Sequence, residues 1–270
     1  MTEEKKYALG EILLRAENVG LCYGEKCILK DINFEIRNVT RIGMAQGQVV
    51  ALIGRSGMGK SQLFNLLSGL NRPTTGKILI CEDQHEVTPG EVGIIPQNYI
   101  LFNHRTVLQN LRIGAKNSGR KTTKAQEDEL IKKYAEDFGL TDHLQKYPAQ
   151  LSGGQKQRVS IIQQVLTDNK FILLDEPFSG LDAIMIDKVI TLLNKVSTLN
   201  ELNTLVIVSH DIESAMAIAD TAWVLARKEG VDGATITHQH DLKAMGMAWD
   251  PDIRKRADFQ EFVHEVKTQI

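Results

Sequence analysis

Short apolar runs recur along the chain at Val49–Ile53, Lys77–Ile80, Val92–Ile95, Phe171–Leu174, Leu205–Val208 and Ala222–Leu225. They are too short for helices and rich in branched side chains, so they predict buried strands. Between them, apolar residues spaced three and four apart predict helices over Ser61–Leu70, Ile184–Val196 and Ile212–Ala219. Strand and helix in alternation imply βαβ units and a largely parallel sheet. Two stretches break the pattern. From Ile12 to Arg41 the chain alternates instead, as in Ile32-Asn33-Phe34-Glu35-Ile36, which predicts half-buried antiparallel strands in a small flanking β layer. From about Asn98 to Val159 helical patterns occur at Val107–Ile113 and Ala125–Phe138 with no strand between them, which predicts a helical lobe inserted between two parts of the sheet. Beyond about Arg227 the chain is a polar tail, with one helix expected near Ala257–Val266.

The expected organisation is therefore a β layer and first half of a core over 1–97, a helical lobe over 98–158, the second half of the core over 159–226 and a C-terminal tail over 227–270. A chain of 270 residues, 42% of them hydrophobic, can bury the core such an arrangement needs. Lys and Arg total 32 against 34 Asp and Glu, a net charge of −2 without a basic stripe, which argues against a nucleic-acid partner. Any phosphate must be held by a local device. Cys22, Cys27 and Cys81 are odd in number and form no C-x-x-C pair, so free thiols in a reducing compartment are expected. Met1–Lys6 is polar, so no secretory leader is expected, and no apolar run approaches the roughly 18 residues that span a bilayer. These features predict a cytoplasmic protein.

Three motifs carry chemistry. Gly54-Arg55-Ser56-Gly57-Met58-Gly59-Lys60-Ser61 fits G-x-x-x-x-G-K-[ST] directly after a strand and before a helix, the context that phosphate binding requires. Its glycines let backbone N–H groups close around phosphate oxygens, Lys60 reaches the β and γ phosphates, and the Ser61 hydroxyl can ligate Mg²⁺. Asp175 and Glu176 follow the Phe171–Leu174 strand at the carboxyl edge, where ligands of parallel sheets sit. Asp175 suits a metal-associated role there, and Glu176 could polarise an attacking water. Leu151-Ser152-Gly153-Gly154-Gln155 precedes a helix that Ser152 can cap, leaving its first N–H groups free to face an anion or simply to form an ordinary Ser-Gly-Gly loop.

Together the three motifs resemble the ABC ATPase family, and the resemblance runs from about Ile12 to Leu225. Further positions match in family order: Tyr23 is similar to the aromatic residue that stacks on adenine, Gln97 to the Q-loop glutamine, Ser179-Gly180-Leu181-Asp182 to the D-loop and His210 to the switch histidine. The resemblance implies an α/β P-loop NTPase with a RecA-like core, an antiparallel β layer and a helical lobe. ATP and Mg²⁺ would be the ligands. Binding falls by this resemblance to Tyr23, Gly54, Ser56, Gly57, Gly59, Lys60, Ser61, Gln62, Ser152, Gly153, Gly154, Gln155 and Asp182; catalysis to Glu176, His210 and Gln97; and the metal to Ser61, Gln97 and Asp175. It implies a second copy of the chain as partner, with each ATP held between one copy's P-loop and the other's signature loop.

Gln62 stands where the family carries a hydroxyl residue, Ile161-Ile162-Gln163-Gln164 replaces a run of Ala-Arg-Ala type, and Asn38–Gln46 is longer than usual, predicting an extended hairpin. Lys60 and Leu151 are about 90 residues apart with no heptad run between them, unlike the coiled-coil ABC ATPases of chromosomes. A single P-loop is likewise unlike the two-domain translation factors. The resemblance therefore implies the ATP-binding subunit of a transporter, peripheral on the inner face of the membrane and joined to separate transmembrane permease subunits. Asp175-Glu176-Pro177-Phe178-Ser179-Gly180-Leu181-Asp182 resembles the same segment of bacterial importer subunits, which further implies a periplasmic solute-binding protein as an indirect partner. Gly246–Ile253 is similar to a tail segment of nitrate, taurine or sulfonate importers. A module that binds ATP without turnover is the competing class, opposed by Glu176, Gln97 and His210 occurring together.

Overall fold

The computed structural model describes residues 7–41, 47–81, 83–197 and 204–270. Its strands are β1 (Tyr7–Tyr23), β2 (Lys26–Arg41), β3 (Gln48–Ile53), β4 (Thr75–Ile80), β5 (His85–Glu86), β6 (Val92–Ile95), β7 (Phe171–Asp175), β8 (Thr204–Ser209), β9 (Thr221–Arg227) and β10 (Ala234–Asp241). Its helices are α1 (Lys60–Leu67), α2 (Val107–Lys116), α3 (Lys124–Asp137), α4 (Gly153–Leu166), α5 (Ala183–Ser197), α6 (Ile212–Met216) and α7 (Ala257–Thr268). One sheet runs in the order β5-β4-β1-β2-β10-β9-β3-β8-β7-β6. Five of the six expected strands form its parallel part, where β3 pairs with β8 and β9, and β7 with β6 and β8; the sixth, Lys77–Ile80, is β4 and pairs antiparallel with β1 and β5. The alternating N-terminal segment supplies β1 and β2 of the antiparallel part.

The period of two along β3 explains why the whole strand is buried. Val49, Ala51 and Ile53 face a core shared with helices α2 to α7, while Val50 and Leu52 face a second core with α1 and the β layer, including Leu63, Phe64, Leu14 and Phe34. The helical lobe holds α2, α3 and the start of α4. Thr106, Thr123 and Ser152 each accept a hydrogen bond from the backbone of the third residue onward, and a glutamine at that position answers in kind, so all three helices begin on capping boxes.

The tail holds more order than its composition predicts. Residues Ala234–Asp241, Ala-Thr-Ile-Thr-His-Gln-His-Asp, form β10, a strand the hydropathy pattern hides because six of its eight residues are polar while its backbone pairs with β9. The expected helix is α7, which buries Phe259, Phe262, Val263 and Val266 in the helix-side core. Trp249 donates to the buried Asp220 and meets the Tyr7 ring edge-on at 6.1 Å, and so anchors the tail.

Two expectations need correction. Cys22 and Cys27 are joined in a disulfide, in place of the expected free thiols, and Cys81 lies outside it. The reason is topological: β1 and β2 meet at a two-residue turn, Gly24-Glu25, with Gly24 at φ 62°, so residues five apart face each other across the hairpin. Asn38–Arg41 continue β2 against Tyr7–Leu9 rather than opening a new hairpin. The remainder of that expected hairpin through Gln46, and the expectation for Met1–Lys6, fall outside the described residues.

Candidate nucleotide-binding site

The P-loop joins β3 to α1, and local sterics explain its glycines. A Cβ on Gly54 would lie 2.5 Å from the Leu225 carbonyl oxygen, so no larger residue fits between β3 and β9. Gly59, at φ 91°, starts α1 in the left-handed region and sits against Ile28 of β2, whose Cγ2 would be 2.9 Å from an added Cβ. Lys60 folds back over the loop, donating to the carbonyls of Gly54 at 2.8 Å and Arg55 at 3.2 Å. Its ammonium is 3.7 Å from Glu176 Oε1.

Glu176 is held firmly although it follows the end of a strand. Its backbone is left-handed at φ 50°, its N–H donates to Val208, and its Oε2 accepts from the Ser209 hydroxyl at 3.2 Å and the His210 N–H at 3.1 Å, with His210 Nδ1 at 2.7 Å. One carboxylate oxygen is thereby fixed to the end of β8, while the other faces Lys60. Burial, reinforced by the neighbouring Glu176 charge and only partly offset by Lys60, raises the Asp175 pKa above the usual carboxylate value. Burial likewise lowers the Lys60 pKa, against the opposing pull of Glu176 and Asp175. The site thus holds charges that are partly desolvated and imperfectly matched.

These residues share a cavity of about 510 Å³ lined by Ser56, Gly57, Gly59, Lys60, Ser61 and Gln62 on one side and Gln97, Asp175, Glu176 and His210 on the other, with Ile28. Ten of the residues singled out in the sequence meet there. Gln97 donates to Ser179 of the D-loop at 3.1 Å. Tyr23 stands at the hairpin tip, outside the cavity lining, and its hydroxyl donates to Gln62 Oε1 at 3.2 Å.

The signature residues lie elsewhere. Ser152 and Gly154 open onto a different cleft, of about 700 Å³, together with Arg158 and the α5 residues Ile184 and Met185. Gln155 spends its side chain on the α4 capping box and a contact with His143, and Asp182 caps α5 through Met185 N at 2.9 Å. Among the described residues, the cavity of the P-loop and the cleft of the signature loop have no lining residue in common. Sequence reasoning missed Ile28, which no motif marks, and Ser209, whose only signal was its place just before His210.

The donor set suits Mg²⁺ shared with a phosphate. Among the described residues no group of three or more His, Cys, Asp or Glu could hold a metal alone. The oxygens of Ser61, Asp175 and Gln97 at one cavity, with a carboxylate short of positive charge among them, match a hard cation completed by phosphate oxygens and water.

A glycine-rich loop and adjacent carboxylates, placed at the carboxyl ends of parallel strands, define a P-loop NTPase. The ABC transporter family model matches residues 37–179. The chain is 36% identical over 212 residues to the sulfate/thiosulfate import ATP-binding protein CysA of Thermosynechococcus vestitus, covering 77% of this chain and 60% of that protein. It is 37% identical over 188 residues to the thiamine import ATP-binding protein ThiQ of Salmonella typhimurium, covering 68% and 79%. Among solved structures, cbiO1 of Clostridium perfringens, part of the ABC transporter complex cbiONQ, superposes with a TM-score of 0.73 at 26% identity, covering 95% of this chain and 99% of that one. The ADP- and phosphate-bound dimer of the cassette MJ0796 does so with a TM-score of 0.67 at 25% identity, covering 85% and 99%. The chain belongs to the ABC transporter family, in its ATP-binding branch. It spans about 60% of the length of CysA and 54% of that of the maltose/maltodextrin import relative MalK of Mannheimia succiniciproducens.

Proposed function

We propose that this chain binds and hydrolyses Mg-ATP as the energy-supplying subunit of a membrane importer, acting in pairs on the inner face of the membrane. The observation that carries the reading is the division of parts: P-loop, carboxylates, Gln97 and His210 around one cavity, and the signature loop on another cleft. Two chains placed head to tail would bring the missing half to each cavity. Gly153 supports this pairing, because nothing among the described residues lies within 4 Å of where its Cβ would be, and its backbone is not left-handed. The absence of a side chain there is explained by something approaching from outside.

In this reading Lys60 and the P-loop amides hold the β and γ phosphates, and Ser61, Asp175 and Gln97 hold Mg²⁺. The metal, when bound, neutralises charge that develops on the phosphate oxygens. Glu176 orients and polarises the attacking water, fixed by Ser209 and His210, while His210 faces the γ-phosphate. No helix among the described residues is long and apolar enough to cross a membrane, so separate permease subunits would form the path. The similarity of Gly246–Ile253 to nitrate, taurine and sulfonate importers supports a small-oxyanion cargo, which a solute-binding protein would deliver. The relatives named above are importers of sulfate or thiosulfate, thiamine, and maltose or maltodextrin.

The permease would dock between Gln97 and Leu111. Ile100 and Phe102 there are 72% and 47% exposed, while Leu101 is buried and Tyr99 leans inward, donating to the Pro177 carbonyl at 3.4 Å. Tyr99 thereby ties the patch to the turn after Glu176, a short path from membrane partner to catalytic carboxylate. A cysteine placed at the exposed Asn103 is expected to crosslink to a cytoplasmic loop of the co-purified membrane subunits, with the parent chain as control for Cys81. No crosslink from Asn103 or from several neighbouring positions would contradict docking here.

A further inference from the structure

The hairpin tip carries two ties that the family resemblance does not supply. The first is the hydrogen bond from the Tyr23 hydroxyl to Gln62 Oε1. Gln62 is the third residue of α1 and lines the P-loop cavity, so one side chain borders the phosphate pocket and grips the tyrosine beyond it. The second is the disulfide between Cys22 and Cys27, which brackets Tyr23, the turn and Lys26. Cys22 donates to Thr74 Oγ1 at 2.9 Å and Cys27 to Asp232 Oδ2 at 3.0 Å. The covalent bond thus reinforces the end of the ladder, where Cys22 pairs with Cys27 and Tyr23 with Lys26. Tyr23 itself is 56% exposed, with little packing to fix its ring.

We infer that Gln62 is a positioning residue that holds the Tyr23 ring as a ready platform for the nucleotide base, and that the Cys22–Cys27 disulfide is the second tie on the same platform. In place of the family's hydroxyl, which would touch the α-phosphate, this chain invests the position in the base. A ring already held in place binds more tightly because less freedom is lost on binding. The inference rests on the ATP-binding reading, and its test separates the two.

Affinities for Mg-ATP and for inorganic tripolyphosphate, measured by calorimetry on the full chain without reductant, give a ratio that isolates the base's contribution. Tyr23→Ala should collapse the ratio. Gln62→Ala and Tyr23→Phe should each lower the ratio about three- to tenfold, the range of one neutral hydrogen bond. The double variant should lose no more than either single one. Gln62→Glu keeps an acceptor for the hydroxyl; it should weaken both ligands through its charge yet preserve the ratio. A dithiol such as dithiothreitol, which reduces the protein disulfide to two thiols while forming its own disulfide, should shrink the ratio in the wild type and leave a Cys22→Ser/Cys27→Ser variant unchanged. If Tyr23→Ala collapses the ratio while Gln62→Ala and Tyr23→Phe do not move it, the positioning role is overturned. An unchanged ratio on reduction overturns the role of the disulfide. If neither ligand binds the wild type, the ATP reading itself fails.

Discussion

Glu176→Gln is expected to bind Mg-ATP and to turn it over at least about a hundredfold more slowly than the wild type, the effect commonly seen when a positioned general base is lost. The amide matches the carboxylate in shape, and its oxygen can still accept from Ser209 and the His210 N–H, so the end of β8 should keep its geometry. What is lost is the anion that polarises water. The variant also removes a negative charge 3.7 Å from Lys60 and beside Asp175, which should favour a bound triphosphate. Binding without turnover should trap the paired state, visible by light scattering as an ATP-dependent doubling of mass. Turnover within a few-fold of the wild type would assign the catalytic base elsewhere.

Lys60→Ala is expected to weaken Mg-ATP binding by about ten- to a hundredfold, the range of a hydrogen bond to a charged partner, and to remove turnover with it. Burial disfavours the ammonium form in the protein without nucleotide, with only partial relief from Glu176 and Asp175. The folded chain thus gains little from that charge until phosphate arrives. The melting temperature without ATP should stay near that of the wild type, while the upward shift that ATP gives the wild type should disappear. Equal ATP-induced shifts in the two proteins would sink the P-loop assignment.

Most of the core was legible because its strands are buried on both faces. Runs such as Val49–Ile53 and Leu205–Val208 stand out against any polar flank, and every run read as a strand is one, although Lys77–Ile80 joins the antiparallel layer. β10 was hidden for the opposite reason: a strand rich in Thr, His and Gln has a paired backbone but no apolar signature. The disulfide was missed because cysteine spacing was weighed without the turn between Cys22 and Cys27. The candidate site was legible where a motif has its own steric logic, as at Gly54 and Gly59. Partners that only orient a functional group, such as Ser209 for Glu176 and Ile28 beside the P-loop, leave no pattern because their work depends on strands that meet through the sheet.

The central claim is that each ATP lies between the P-loop of one chain and the signature loop of another, and complementation between two inactive variants tests it most directly. Lys60→Ala breaks the P-loop. Gly154→Asp places a carboxylate where the γ-phosphate of the partner's nucleotide would lie, so it should repel that phosphate. The substitution should be tolerated by the fold, since an added Cβ meets only the mobile end of Met185, at 3.0 Å, and an acid suits the first turn of α4. Each variant alone should be nearly inactive. In a tandem-tagged mixed dimer assembled with the membrane subunits, one site carries both lesions, while the other joins the intact P-loop of the Gly154→Asp chain to the intact signature of the Lys60→Ala chain. The account predicts ATPase activity in that mixed dimer well above the background of either homodimer. Background activity in mixed dimers of proven composition, together with activity in a fused dimer that carries both lesions on one half, would contradict it and point to a site complete within a single chain.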